Sequence, residues 1–354
     1  MSEPEDLDSP ELAARPSRPG GSAGPPSRAS RFRKAAPPSL LRLELVGHCD
    51  PGCAECAAPF KPGAEPPAFM EWELLTRLLE QLPKLERLRL EGVGEPMRHP
   101  RFFDAVAHAV AKGVRVSAST GLADCDEAGV ARLAGSGLEH LEVAVDGATR
   151  ETFEALRAPA RFSRVLRNLS ELRRVKERLG AARPTVAFVA TAVRENLAEL
   201  PALVRLARRL GVARVVVRNL AHDFSEATLS DVYRPIRDWV RAQALSREDP
   251  ERVRRHFSRA REASVECGVD LRLPGSGGAG RCREPWDGLS LSWRGIAMPC
   301  GMLAVPERAR LGDAAADGAA SVWNGEDFGE FREALASDAP PDVCRGCALY
   351  RGIL

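Results

Sequence analysis

Between residues 40 and 220 the apolar positions change period repeatedly, with short alternating runs giving way to stretches of helical spacing. Apolar residues at every second position mark a half-buried strand, and a recurrence at i, i+3, i+4 and i+7 marks an amphipathic helix. LLRLELV (40–46) predicts a strand, MEWELLTRLLEQL (70–82) a helix and ERLRLEG (86–92) a second strand. A helix over 99–113 precedes the strand RVSAST (115–120), and a helix over 126–137 precedes LEHLEVAVDG (138–147). Helices over 162–180 and 196–211 precede TVAFVATAV (185–193) and ARVVVRNL (213–220). Strand-then-helix units repeated at this interval predict parallel strands joined by crossover helices. The expected fold class is therefore α/β, a partial (β/α)6 TIM-like barrel with its active site at the C-terminal ends of the strands. Helical spacing returns over roughly 228–267, and SLSWRGIAMPC (290–300) predicts a short hairpin turning at Arg294-Gly295. The first 38 residues, rich in Pro, Gly, Ser, Ala and Arg, have no apolar period and predict a disordered tail. The expected division is 1–38 tail, 39–222 barrel, 223–275 helical connector and 276–354 a small Cys-rich domain.

Composition narrows the function classes. The 354 residues are 44% hydrophobic, enough for one large and one small domain. Fifty-one basic residues against 49 acidic give a net charge of +2, which argues against a nucleic-acid or membrane surface. No apolar run approaches the roughly 20 residues that span a bilayer. The acidic start MSEPEDLDSPEL lacks the apolar region of a secretory signal, so a cytoplasmic location is expected. In that reducing compartment, clustered cysteines point to metal or catalysis rather than to disulfides.

Seven of the nine cysteines fall in two groups. The first is HCDPGCAEC (48–56), in which Cys49, Cys53 and Cys56 follow the first predicted strand at C-x3-C-x2-C spacing. A structural zinc site closes with four ligands, and His48, adjacent to Cys49, is badly placed to supply the fourth. Three thiols with an open position suit a cluster or metal that must bind something else.

This spacing after the first barrel strand resembles the signature of the radical S-adenosylmethionine (SAM) enzymes. The resemblance implies that the three cysteines hold a [4Fe–4S] cluster whose fourth iron chelates SAM. It further implies reductive cleavage to a 5′-deoxyadenosyl radical, with electrons from a flavodoxin- or ferredoxin-type donor. EGVGEP (91–96) is similar to the family's GGEP motif and implies SAM contacts at Gly94, Glu95 and Pro96. Asp146, at the end of VAVDG, is implied near the ribose, although an N-cap of the next helix is an equal reading of Asp-Gly-Ala-Thr. The segment TRETFEALR (149–157) resembles the one whose Arg approaches the SAM carboxylate, which implicates Arg157. Glu55 departs from the bulky apolar residue the family places before its third cysteine, so the adenine must pack elsewhere.

The second group is Cys282 and Cys300, spaced C-x12-G-x4-C across the hairpin, with Cys344 and Cys347 in VCRGC (343–347). Taken alone, four thiols from a hairpin and a CxxC loop favour a zinc ribbon. Beside the first motif they resemble the Twitch module, the half-size relative of the SPASM domain, and imply one auxiliary [4Fe–4S] cluster with every iron ligated. With no cysteine after Cys347, a second auxiliary cluster is not expected. Of the remaining two, Cys267 reads as a small packed hydrophobe. Cys125, just after the third strand, reads as a residue near a helix start or as a hydrogen-atom donor in a peptide epimerase. The resemblance implies a redox modification, a dehydrogenation or a cross-link, of a peptide or small natural-product precursor, the auxiliary cluster accepting the substrate electron. The alternative of another class is a zinc-stabilised binding protein on a degenerate barrel.

Overall fold

The computed structural model describes residues 35–49, 53–54, 56, 68–227, 229–275, 282–303 and 305–353. Most of the expected tail and the adenine-side position Glu55 lie outside these residues. The first half builds as the period predicts. Strands β1 (Leu40–Leu43), β2 (Arg87–Leu90), β3 (Arg115–Thr120), β4 (His140–Ala144), β5 (Thr185–Thr191) and β6 (Arg214–Arg218) pair in parallel in chain order. Between them run α1 (Trp72–Glu80), α2 (Phe102–Ala111), α3 (Glu127–Leu133), α4 (Arg150–Leu156), α5 (Phe162–Leu179) and α6 (Leu200–Arg209). The connector forms α7 (Arg234–Gln243) and α8 (Pro250–Cys267), and α8 packs against α6. Among the described residues, no helix is long and apolar enough to cross a membrane.

Three features depart from the pattern read along the chain. β1 stops at Leu43, yet Leu45 and Val46 are fully buried. Their partner is the chain returning from the cysteine loop: Met70 N–H donates to the Leu45 carbonyl, and Val46 bridges Phe69. Their apolar character therefore serves the loop's closure rather than the sheet. The short helix α4, unseen in the period, is nucleated by its cap: Thr149 Oγ1 accepts from Thr152 N–H, and Glu199 gathers the Ala148 and Thr149 N–H groups. Finally, the hairpin is not local to the C-terminal segment. After the one-turn helix α9 (Glu284–Asp287), strand β8 (Gly288–Leu291) lies parallel to β1 on its free edge and antiparallel to β9 (Ala297–Met298). With β7 (Asp270–Arg272) on β6, one nine-stranded sheet runs from the connector through the barrel into the Cys-rich segment. Gly295, at a φ of +81°, makes the predicted turn in a conformation that favours glycine.

Parallel strands covered on both faces are usually near-continuous apolar runs, but here one face is charged. Arg42 on β1 lies directly beside Arg89 on β2, a like-charge pair that needs compensation. Acids supply it. Arg89 forks onto Glu142 of β4 (Nη2–Oε2 2.6 Å) and reaches Glu91 (2.5 Å), Arg218 of β6 reaches Glu142 (3.3 Å), and Arg42 reaches Glu91 (3.4 Å). Burial works to raise the Glu142 carboxyl, but the Arg89 and Arg218 guanidiniums outweigh it and hold it down to about 2. Removing one member of such a buried network leaves charge uncompensated. Glu142→Gln is expected to lower stability at neutral pH by about 3–5 kcal/mol, read from urea denaturation. Because the folded pKa is depressed, Glu142's contribution is complete above the usual carboxylate pKa of about 4.3 and fades as pH falls toward 2. The gap between wild type and variant should therefore hold from pH 8 to about pH 5 and close only in acid.

Candidate active site and cluster sites

The C-terminal ends of β1, β2 and β3 are tied together by two carboxylates, Glu44 buried and Glu95 half-buried. Glu44, just past β1, accepts from Val93 N–H (3.0 Å) and from Trp293 N–H (3.2 Å), joining the EGVGEP turn to the hairpin. Glu95 accepts from Thr120 Oγ1 and Gly121 N–H, both at 2.8 Å, and from Met97 N–H at 3.2 Å. Burial raises its pKa, while these three donors oppose the rise. Onto this frame docks the cysteine loop. Gly94 N–H donates to the Val46 carbonyl (3.0 Å), Cys53 bridges Arg157, and Ala54 N–H donates to the Leu156 carbonyl (2.9 Å). Cys49, Cys53 and Cys56 thereby line one cavity of about 440 Å³ together with Gly94, Glu95 and Arg157.

The reason for glycine at position 94 is now visible. A Cβ there would sit 2.2 Å from the Val46 carbonyl oxygen and 2.6 Å from that of His48. Both obstacles are backbone, so no side-chain rotation relieves them. The close approach that glycine permits is to the chain's own cysteine loop. Gly94→Ala is expected to displace that loop, and iron counting after anaerobic reconstitution should fall from about eight to about four per chain. Unchanged iron would show that the loop tolerates the methyl group.

The other predicted site residues separate. Pro96, in the same turn, lines the cavity. Arg157 lines it too and donates from Nη1 to Asp146 Oδ2 at 2.9 Å. Asp146 itself is buried and is not among the lining residues; its Oδ1 accepts from Thr191 N–H (2.7 Å), so it joins β4, β5 and Arg157. The capping reading of Asp146 is corrected: Thr149 caps α4, three residues on. Cys125 also stands apart from the lining residues, although Ala123 and Asp124 are among them. Its sulfur lies against Gly129 in the first turn of α3, and burial, with the nearby Asp126 and Glu95 charges, pushes its thiol up to about 12. Cys267, at the end of α8, is half-buried against the core.

The four C-terminal thiols come together. Cys347 and Cys282 each bear electrostatically on Cys300 and on Cys344, and Cys347 bears on Cys282. Their connection to the cavity wall was not foreseen. The segment after β6 pairs with the CxxC loop, with Ala348 N–H donating to the Ala221 carbonyl (2.9 Å) and His222 bridging Cys347. Leu220, Ala221, His222 and Phe224 line the cavity, joined by Met302 and Arg308 from the Cys-rich segment. Burial, with the Arg308 charge beside it, pushes the His222 imidazole down to about 3, so it is neutral.

These two thiol sets fit the comparisons with known proteins. Residues 43–207 match the family model described as "Radical SAM superfamily", and residues 282–348 match SPASM, "Iron-sulfur cluster-binding domain". The chain thus carries a radical SAM domain followed by a C-terminal SPASM domain. It is 26% identical over 183 residues to the tungsten-containing aldehyde ferredoxin oxidoreductase cofactor-modifying protein of Pyrococcus furiosus, 51% of each chain. It is 28% identical over 182 residues to the mycofactocin maturase MftC of Mycobacterium ulcerans, 51% of this chain and 47% of that one. The chain thus spans about half the length of these relatives. The PqqA peptide cyclase of Xanthomonas euvesicatoria is 25% identical over 320 residues, 88% of this chain and 81% of its own. Streptococcus suis SuiB, solved bound to its precursor peptide SuiA, superposes with a TM-score of 0.66 at 14% identity, covering 89% of this chain and 70% of that one, which supports the fold.

The two domains imply a SAM-binding [4Fe–4S] cluster and an auxiliary cluster, with SAM as cosubstrate. The residues present fit these groups. Burial and the neighbouring Cys56 and Cys53 push the Cys49 thiol up to about 12, and burial does the same to Cys282 and Cys344. Thiols held so close together in an apolar setting keep their protons until cations replace them. Among the described residues, no three Cys, His, Asp or Glu side chains gather tightly enough to hold a single ion. A cluster does not need them to, since each thiolate binds a different iron.

Proposed function

We propose that this radical SAM protein cleaves SAM reductively at the Cys49–Cys53–Cys56 loop and oxidises a peptide in the adjoining cavity by two electrons. The product would be a dehydrogenated or cross-linked residue. The observation that carries the reading is the shared wall. One segment, residues 219–222, lines the cavity that the three thiols open into and is hydrogen-bonded to the loop bearing Cys347. A cluster on the first loop, with SAM, supplies the 5′-deoxyadenosyl radical. The chain's own residues position and enclose the reactants. Arg157, fixed by Asp146, presents a guanidinium to the cavity, suited to a carboxylate. Glu95 and Glu44 hold the three strand ends still, and His222 and Phe224 close the side nearest the second thiol group.

A peptide substrate is favoured over a small natural product because the relative matched along most of both chains is named a peptide cyclase. The electron donor would be of flavodoxin or ferredoxin type. Anaerobic purification with iron, sulfide and zinc counting tests the foundation: about eight irons per chain, and 5′-deoxyadenosine formation when dithionite and SAM are added, are expected. Stoichiometric zinc without visible absorbance would refute it in favour of a zinc-stabilised binding protein.

A further inference from the structure

We propose that Glu284, clamped by Arg42, sets the reduction potential of the cluster held by Cys282, Cys300, Cys344 and Cys347. The inference rests on the reading that these four thiols hold a cluster, and it adds two residues that ligate nothing. Glu284 opens α9, two residues after Cys282, and its backbone N–H is hydrogen-bonded to the Cys282 sulfur. Its carboxylate bears on Cys282, Cys300 and Cys347, three of the four thiols. Arg42 reaches it from β1: Nη2 donates to Oε1 at 3.0 Å, and Nη1 lies 2.9 Å from Oε2, while the Arg42 charge also bears on Cys282. The two side chains are only 13% and 19% exposed, so solvent screens them weakly. The pair is held in place from outside itself. Arg42 also reaches Glu91, which continues through Arg89 and Glu142 to Arg218 at the cavity. An ion pair positioned this firmly is a fixed local field, and charge close to an iron–sulfur cluster is one of the protein's means of setting its potential.

The sign follows from position. A carboxylate facing the thiolates disfavours an added electron and lowers the potential, whereas the Arg42 charge, which also bears on Cys282, favours it. The two residues should therefore act in opposite directions, which a merely structural ion pair would not do. The experiment uses the Cys49→Ala, Cys53→Ala, Cys56→Ala background, so that only the auxiliary cluster is reconstituted, and reads its midpoint potential by redox titration followed by electron paramagnetic resonance. Glu284→Gln should shift the potential upward and Arg42→Gln downward, each with about four irons retained. Glu284→Asp and Arg42→Lys, which keep the charges, should stay close to the parent. Equal potentials in both Gln variants, or shifts of the same sign, overturn the proposal. Loss of iron from either Gln variant overturns it too, because the pair is then a structural support. Absence of iron from the triple-alanine parent instead removes the reading beneath it.

Discussion

Replacing Cys49, Cys53 and Cys56 together by Ala should abolish 5′-deoxyadenosine formation while leaving about four irons on the chain. The size of the effect follows from the geometry. The three thiols line the cavity as its proposed cluster ligands, and the loop that carries them is anchored by backbone contacts at Val46, Cys53 and Ala54. Those contacts do not involve the sulfurs, so the substitutions remove the ligands without removing the anchors. The retained iron would belong to the second group, whose hairpin is built on β1 through the Leu40–Gly288 to Leu43–Leu291 register. Adding SAM should not perturb the retained cluster's resonance signal, because four thiols leave no iron open. Undiminished SAM cleavage in the triple variant would refute the first site. A SAM-dependent change in the retained signal would refute full ligation of the second.

How far the sequence could be read depended on whether a residue's role was local. The cysteine spacings and strand periods are local, and they led to both thiol groups and to the order of β1–β6. Gly94 was singled out as a SAM contact, but the backbone it lies against could not be named, because Val46 and His48 are more than forty positions away. Asp146 shows the limit in another way. Asp-Gly-Ala-Thr offers two capping oxygens three residues apart, and only the fold decides that Thr149 caps while Asp146 receives Arg157 and Thr191. The charged strand face was legible and was passed over. LLRLEL, RLRLE and LEHLEV alternate Arg or Glu with Leu, an unusual pattern for parallel strands that a barrel's helices cover. Some of the arginines spread along the chain, Arg42, Arg89 and Arg218, form this internal ladder. The β1–β8 pairing left no signal at all, since GLSL is only four residues long and its partner Leu40 lies 248 positions before Gly288.

The role of the second cluster separates most sharply in a Cys344→Ala variant. If the auxiliary site accepts the substrate's electron, this variant still cleaves SAM and still abstracts hydrogen from the peptide, but makes no oxidised product. Hydrogen transfer is then visible as deuterium carried from a labelled peptide into 5′-deoxyadenosine, and the peptide radical returns to starting material or is trapped as an adduct. If the cluster only supports the fold, both activities fall together. The structure favours the first outcome because the CxxC loop is hydrogen-bonded to Ala221 of the cavity wall and to Asp223 beside it, placing Cys347 next to residues that line the cavity. Cluster binding in so small a segment is also folding free energy, so a lost ligand can loosen the domain. Two features resist that here. β8 is held by β1 on one side and β9 on the other, and the helix Glu326–Ala336 anchors the segment through Arg332, which donates to the Pro285 and Trp323 carbonyls. An unchanged circular dichroism spectrum and unchanged SAM cleavage are the folding controls. A folded Cys344→Ala chain that lacks the second cluster, yet makes oxidised product at the normal rate, would rule the electron-acceptor role out.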